Sequence, residues 1–185
     1  MIIYKDLITG CELLTDAYKI EDNDGVFKVK GKLVTEKDDI QLAGANPSAE
    51  EGGDDYEDGS TTGVDVVLAN KLVACNMDKK GYISVFKTYV KKVESILKEK
   101  NPDRVDAFKK EVSNFFKDTV IGKWKEMKWE FYQGKDHFTD DGDEGMLVLL
   151  SWDEETDTPY LYYFKDGLEV HRYVPPQGFP SLVHR

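Results

Sequence analysis

Two apolar patterns with helical spacing lie in the middle of the chain, and they constrain the fold more than any other feature. In each pattern, apolar side chains recur at steps of three and four residues. The first consists of Tyr82, Phe86, Tyr89, Val93 and Ile96, and the second of Val105, Phe108, Val112, Phe115 and Phe116. Asn101-Pro102-Asp103 separates them, with Asn101 as the expected cap of the second helix. The sequence therefore predicts a helical hairpin over about 80–124, whose apolar stripes need a sheet to cover them.

β-type sequence lies on both sides of this hairpin. Residues 1–34 suggest short strands, with a turn at 22–25 between segments 17–20 and 26–30, and residues 63–68 suggest a further strand. Three aromatic segments follow the helices, at 129–132, 146–152 and 159–164. Strands, two helices and strands in this order indicate an α+β fold, and 185 residues suffice for one domain over 1–185.

An uncharged motif at 42–49 opens into an acidic, glycine-rich run that ends at Gly59. Pro47 restricts Asn46 to extended or turn conformations. The run has almost nothing apolar to bury, so we expect a flexible acidic loop over about 40–62. The tail over about 172–185 contains three prolines, and we expect it to be irregular.

Charge is unevenly distributed along the chain. The net charge is −11, which argues against nucleic acid and against anionic membranes as partners. Residues 78–128 nevertheless carry 14 Lys and Arg against 8 Asp and Glu, a net charge of +6. We expect this region to attract acidic partners, although a lysine-rich helix can also be merely solvated. The candidate binding residues, which lie off the apolar stripes, are Lys87, Lys91, Lys92, Lys98, Lys109, Lys110 and Lys117.

The sequence offers little for catalysis, zinc binding or membrane insertion. Cys11 and Cys75 are the only cysteines, which favours a reducing intracellular compartment and provides no zinc ligand pairs. No cysteine lies near a histidine in sequence, and there is no phosphate-binding loop. No apolar run approaches the ~18 residues of a membrane span, and charges come too early for a signal peptide. We therefore expect a cytoplasmic protein that is not an enzyme.

Four separate segments together resemble one known family. They are Met1-Ile2-Ile3-Tyr4-Lys5-Asp6, Ala43-Gly44-Ala45-Asn46-Pro47-Ser48-Ala49-Glu50, Thr62-Gly63-Val64-Asp65-Val66-Val67, and Thr158-Pro159-Tyr160 followed by Phe164-Lys165-Asp166-Gly167-Leu168-Glu169. In this order, over roughly residues 1–170, they closely resemble the translationally controlled tumour protein family, also called fortilin or histamine-releasing factor.

The resemblance implies a fold and a set of partners. The implied fold is a twisted mixed β core, or β-tent, similar to that of Rab-binding exchange-factor chaperones, with a projecting helical hairpin and a long flexible acidic loop. The implied partners are tubulin and microtubules, elongation factor, small GTPases such as Rheb, and anti-apoptotic Bcl-family proteins. Members are cytoplasmic proteins that promote growth, survival and stress responses, and non-classical secretion is consistent with the lack of a signal peptide.

The resemblance also implies two sites. Weak calcium binding carries over to Asn46, Ser48 and Glu50, and a GTPase contact carries over to Glu12. The alternatives are that the acidic loop only keeps the chain soluble and that Glu12 is an ordinary exposed carboxylate. Regulation of a small GTPase or of elongation factor is therefore a second functional hypothesis beside scaffolding, and calcium buffering is a third.

The chain departs from the family pattern at two places. Lys135 follows Gln133-Gly134 where the family usually has a carboxylate. Ile40-Gln41 follow the acidic pair Asp38-Asp39, so the serine that polo-type kinases phosphorylate in the family is missing there. The sequence therefore does not predict this form of phosphorylation control.

Overall fold

The structure of the protein, a computed structural model, describes residues 1–37 and 60–173. Its strands are β1 (Ile2–Asp6), β2 (Glu12–Thr15), β3 (Ile20–Asn23), β4 (Val26–Lys30), β5 (Leu33–Lys37), β6 (Ser60–Val64), β7 (Val73–Cys75), β8 (Glu130–Gln133), β9 (Val148–Asp153), β10 (Thr158–Phe164) and β11 (Leu168–Arg172). Its α-helices are α1 (Asp65–Ala69), α2 (Lys79–Lys100), α3 (Val105–Phe115) and α4 (Trp124–Met127). A 3₁₀ turn (Pro102–Arg104) joins α2 to α3, and a π-helical segment (Phe116–Ile121) extends α3.

Within the described residues, the strands form three antiparallel sheets. One sheet has the order β3-β4-β10-β9-β8-β7, a second has the order β11-β1-β2, and β5 and β6 form a two-stranded ribbon. Helices pack against these antiparallel sheets, and this arrangement confirms the predicted α+β class. Every strand pair in the described ranges is antiparallel.

The helical hairpin covers the six-stranded sheet with aromatic side chains. The ring of Tyr82 stacks on Phe131 of β8 at a centroid distance of 5.0 Å, and Phe86 packs against Phe164 of β10 at 5.9 Å. The predicted stripe of α2 is confirmed except at its last position. Leu97 is buried there and Ile96 is only partly buried, because Leu97 continues the four-residue step from Val93.

Two sequence predictions about helix starts are wrong. The strand predicted over 63–68 ends at Val64, and α1 begins at Asp65. The Asp65 carboxylate accepts hydrogen bonds from the backbone N–H groups of Lys32 (3.0 Å) and Val66 (2.8 Å) at this junction. The Asn101 side chain caps no helix, and the 3₁₀ turn that follows it delays the start of α3. The hairpin instead begins at Asp78, whose carboxylate accepts from the Gly81 N–H at 2.8 Å.

The boundaries of the loop and of the tail also differ from the expected ones. Residues 60–62, expected in the loop, pair with β5 as part of β6, and the hydroxyls of Thr35 and Thr62 lie 3.0 Å apart. Arg172, expected in the tail, is the last residue of β11. The remaining positions of both segments, 40–59 and 174–185, lie outside the described residues.

Candidate functional site: the lysine surface of the helical hairpin

Three of the predicted lysines lie along one exposed face of α2. Lys87, Lys91 and Lys98 are separated by steps of four and seven residues, with Glu94 between the last two. Residues three and four apart are neighbours on a helix surface, so these four side chains form one row. The apolar stripe on the opposite face of α2 fixes the orientation of this row towards solvent.

Glu94 joins this row to α3. Its Oε1 lies 3.3 Å from Lys98 Nζ and 3.4 Å from Lys109 Nζ, and only 18% of the Glu94 side chain is exposed. Desolvation alone would raise the pKa of Glu94, but the two ammonium groups outweigh it and lower the pKa below its usual value. Lys87, Lys91, Lys98 and Lys109 are called the lysine stripe below. The role of Glu94 as a link between the two helices was not predicted, although its i,i+4 spacing to Lys98 is a signal visible in the sequence.

The other three predicted lysines lie elsewhere. Lys92 Nζ pairs with Asp143 Oδ2 at 3.0 Å, which directs it to the loop before β9 and away from the stripe. Lys110 and Lys117 are exposed on α3 and its π-helical extension, and Lys110 lines a cleft between α3 and the β3–β4 hairpin. The seven lysines therefore do not form one continuous surface.

Glu12 is exposed at the start of β2, on the three-stranded sheet. It lies opposite Lys5 of β1, and Lys5 lies opposite Glu169 of β11. The three side chains form a row of alternating charge across the sheet, and opposite charges in adjacent strands stabilise a sheet modestly. Sequence reasoning did not predict this row, because it depends on the pairing of strands at both ends of the chain.

The predicted calcium ligands Asn46, Ser48 and Glu50 lie outside the described residues. Within 1–37 and 60–173 there is no group of three or more His, Cys, Asp or Glu side chains arranged to hold a metal ion. Both cysteines are free thiols, and the His137 ring is buried with its Nε2 2.9 Å from Glu144 Oε1. Among the helices of the described part, none is long and apolar enough to cross a membrane.

Comparison with known proteins places this architecture in one family. A family profile described as translationally controlled tumour protein matches residues 1–169. A translationally-controlled tumor protein homolog of Drosophila melanogaster is 43% identical over 178 residues, which cover 93% of this chain and 99% of the relative. A homolog of Kluyveromyces lactis is 40% identical over 173 residues, with the same coverage of each chain.

Two solved structures have the same fold. The tumor-associated protein p23fyp of Schizosaccharomyces pombe superposes with a TM-score of 0.73 at 36% identity, covering 94% of this chain and 100% of that one. The Caenorhabditis elegans translationally-controlled tumor protein gives a TM-score of 0.66 at 29% identity, covering 95% and 100%. The chain therefore belongs to the translationally controlled tumour protein family.

Proposed function

We propose that this protein is a cytoplasmic, non-enzymatic interaction protein whose helical hairpin binds acidic partners, with tubulin in microtubules as the first of them. The observation that carries the proposal is the lysine stripe, in which Glu94 holds Lys98 of α2 and Lys109 of α3 side by side. Lys87 and Lys91 extend the row along α2 and make no ion pair with any residue in the described ranges.

Electrostatics favours an acidic partner for this surface. Residues 78–128 carry a net charge of +6 in a chain whose net charge is −11. A cationic surface on an anionic protein attracts a polyanionic partner only in one orientation, and so it affects association rate and selectivity more than total affinity. Since the stripe is exposed, we expect the binding to weaken as salt concentration rises.

Charge reversal on the stripe tests this proposal. The test variant carries Lys87→Glu and Lys91→Glu, and the matched control carries Lys19→Glu and Lys30→Glu, which are exposed lysines outside the hairpin. Both variants change the net charge equally. In microtubule co-sedimentation we expect the test variant to bind about tenfold more weakly than wild type and the control about twofold or less. Equal weakening in both variants would show that only the net charge matters and would contradict a role for the stripe.

A second candidate function is regulation of a small GTPase such as Rheb, or of elongation factor, through the three-stranded sheet. It is favoured by the exposed position of Glu12 in the row with Lys5 and Glu169. Nucleotide release from the GTPase would be measured with wild type, with Glu12→Val and with Glu169→Val as the control. Slower release with Glu12→Val alone would support this function, and equal rates for all three proteins would remove Glu12 from it.

Calcium binding and the Bcl-family partners complete the proposal. Ca²⁺ prefers oxygen ligands, and Asn46, Ser48 and Glu50 carry an amide, a hydroxyl and a carboxylate oxygen. A calcium titration followed by NMR at the amides of these residues tests the site, and shifts spread evenly over all acidic residues would contradict it.

A pull-down of Bcl-family proteins with the Lys87→Glu/Lys91→Glu variant would show whether these partners bind the lysine stripe.

A further inference from the structure

A cleft of about 720 Å³ lies between α3 and the β3–β4 hairpin, on the side of α3 that faces away from Lys109 and Glu94. This volume falls in the range of small-ligand sites. One wall is formed by α3 and its π-helical extension, which place Phe115, Asp118 and Thr119 along it. π-Helical segments are rare in proteins and are frequently found at functional sites. The cleft lies outside the lysine stripe, so binding there would be independent of the proposed function.

Aromatic rings line the inner end of the cleft. Phe115 and Tyr162 lie 5.7 Å apart between ring centroids, and Trp129 packs against Tyr162 at 5.4 Å with its ring nearly perpendicular. Burial and the neighbouring Tyr160 and Asp153 raise the pKa of Tyr162 to about 12, so its hydroxyl stays protonated at neutral pH. The floor is the buried side chain of Val26. A flat apolar group could therefore pack against these rings.

Lys28 supplies a cation beside these rings. It lies opposite Tyr162 in the β4–β10 pairing, and its Nζ stands 4.4 Å from the centroid of the Tyr160 ring. The side chain is half-buried, and it makes no ion pair with the residues of the described part, although Glu21 lies opposite it on β3. A half-buried ammonium group without a carboxylate is a suitable partner for an anion.

The acidic groups of the cleft do not cancel this cation. Glu111 is held by Arg104 at 2.8 Å. Asp24 and Asp118 are exposed, so water screens them more strongly than the half-buried Lys28, and the exposed Lys110 adds a second positive charge at the mouth.

We propose that this cleft binds an aromatic carboxylate, with the ring packed against Phe115 and Tyr162 and the carboxylate paired with Lys28. Such a group occurs in free aromatic acids and at the C terminus of a peptide that ends in an aromatic residue.

The test is an NMR titration of the full chain with three probes that share one ring. Indole-3-acetate carries a carboxylate, tryptamine an ammonium group, and indole no charge. We expect indole-3-acetate to bind with a Kd of about 1 mM and to shift the amides of Lys28 and Thr119. Indole should bind more weakly at the same residues, and tryptamine most weakly. Tighter binding of tryptamine, or shifts that do not include the cleft, would overturn the proposal.

Three variants separate recognition from folding. Lys28→Met should weaken indole-3-acetate binding about fivefold and leave indole unchanged, since only the charge is lost. Lys30→Met, on the same strand but outside the cleft, should change neither. Asn114→Trp replaces an exposed residue of the cleft wall and should prevent binding of all three probes without lowering the melting temperature. Unchanged binding of indole-3-acetate to Lys28→Met would contradict the assignment of Lys28 as the partner of the carboxylate.

A peptide distinguishes the two sources. Acetyl-Gly-Gly-Trp with a free carboxylate and the same peptide with a C-terminal amide are compared in the same titration. Binding of the free-carboxylate peptide at least as tightly as indole-3-acetate assigns the cleft to the C terminus of a partner. Binding of indole-3-acetate alone assigns it to a small molecule, and both results support the proposed chemistry.

Discussion

Arg104 donates hydrogen bonds to both carboxylate oxygens of Asp166, from Nε at 3.0 Å and from Nη2 at 2.7 Å. Arg104 lies in the 3₁₀ turn between the two long helices, and Asp166 lies in the turn between β10 and β11. The same guanidinium donates to Glu111 of α3 at 2.8 Å. These hydrogen bonds therefore link the turn of the helical hairpin to the sheet core. Hydrogen bonds to the two carboxylates raise the pKa of Arg104 above its usual value.

Replacing Arg104 with lysine should destabilise the protein by about 1–2 kcal/mol, because a point charge cannot donate to both oxygens of Asp166 at once. The free energy of unfolding would be measured in urea. Lys109→Arg, also on the hairpin but with a single longer ion pair, serves as the control and should change it by less than about 0.5 kcal/mol. An equal effect of the two substitutions would show that the paired geometry at Arg104 contributes nothing.

Asp6 links β1 to the loop before β9 through hydrogen bonds. Its buried carboxylate accepts hydrogen bonds from the backbone N–H groups of Met146 (2.7 Å) and Ile8 (2.8 Å). Asp6→Ala leaves the buried Met146 N–H without this acceptor, and we expect a loss of about 2–3 kcal/mol in urea unfolding. Asp16→Ala removes an exposed carboxylate that accepts from the Ile2 N–H at 3.0 Å, and it should cost about 1 kcal/mol or less. A larger loss for Asp16→Ala would contradict this account.

Buried tyrosine hydroxyls should differ in their contribution to stability. The Tyr89 hydroxyl is buried without a hydrogen-bond partner in the described part of the chain, whereas the Tyr163 hydroxyl donates to the Leu13 carbonyl at 2.9 Å. Tyr89→Phe should therefore leave the melting temperature unchanged or raise it, and Tyr163→Phe should cost about 1–2 kcal/mol. Equal losses for the two substitutions would show that Tyr89 has a partner that stabilises it.

Acid should weaken the contact between Asp22 and Lys165. The Lys165 ammonium donates to the Asp22 carboxylate at 2.8 Å, and this hydrogen bond is the largest cause of a pKa below the ordinary value of 3.8. A lowered pKa in the folded state contributes stability above pH 3.8, and this contribution disappears as the pH falls through the folded-state pKa. Both side chains are largely exposed, so the contribution is about 0.5 kcal/mol.

The experiment compares the free energy of unfolding of wild type with that of Asp22→Asn over a range of pH. We expect wild type to be more stable at pH 7 and the two proteins to become equally stable once the pH has fallen below the folded-state pKa of Asp22. A difference that grows towards acid would have the wrong sign for a carboxylate with a lowered pKa.

The helical hairpin could be predicted from sequence because its signal is local. Tyr82, Phe86 and Tyr89 repeat at the helical period, and the same residues pack on the sheet. The start of α1 could not be predicted in this way. Asp65, the first residue of α1, accepts a hydrogen bond from the Lys32 N–H, and that group is far away in sequence.

The same distinction applies to the candidate site. Helical spacing alone predicted that Lys87, Lys91 and Lys98 lie off the apolar stripe of α2. Lys92 looked equivalent in sequence, but its partner Asp143 comes from a loop beyond the hairpin. The cleft at Lys28 was missed altogether, because β4, β10 and α3 meet only in the folded chain.

Binding to two preparations of microtubules tests the central claim most directly. One preparation is intact, and the other has lost its acidic tubulin tails to limited proteolysis. If the lysine stripe binds acidic segments, wild type should bind the intact microtubules about tenfold more tightly, and Lys87→Glu/Lys91→Glu should show little difference between the two. Equal binding of wild type to both preparations, unchanged by added salt, would contradict the claim that this surface recognises acidic partners.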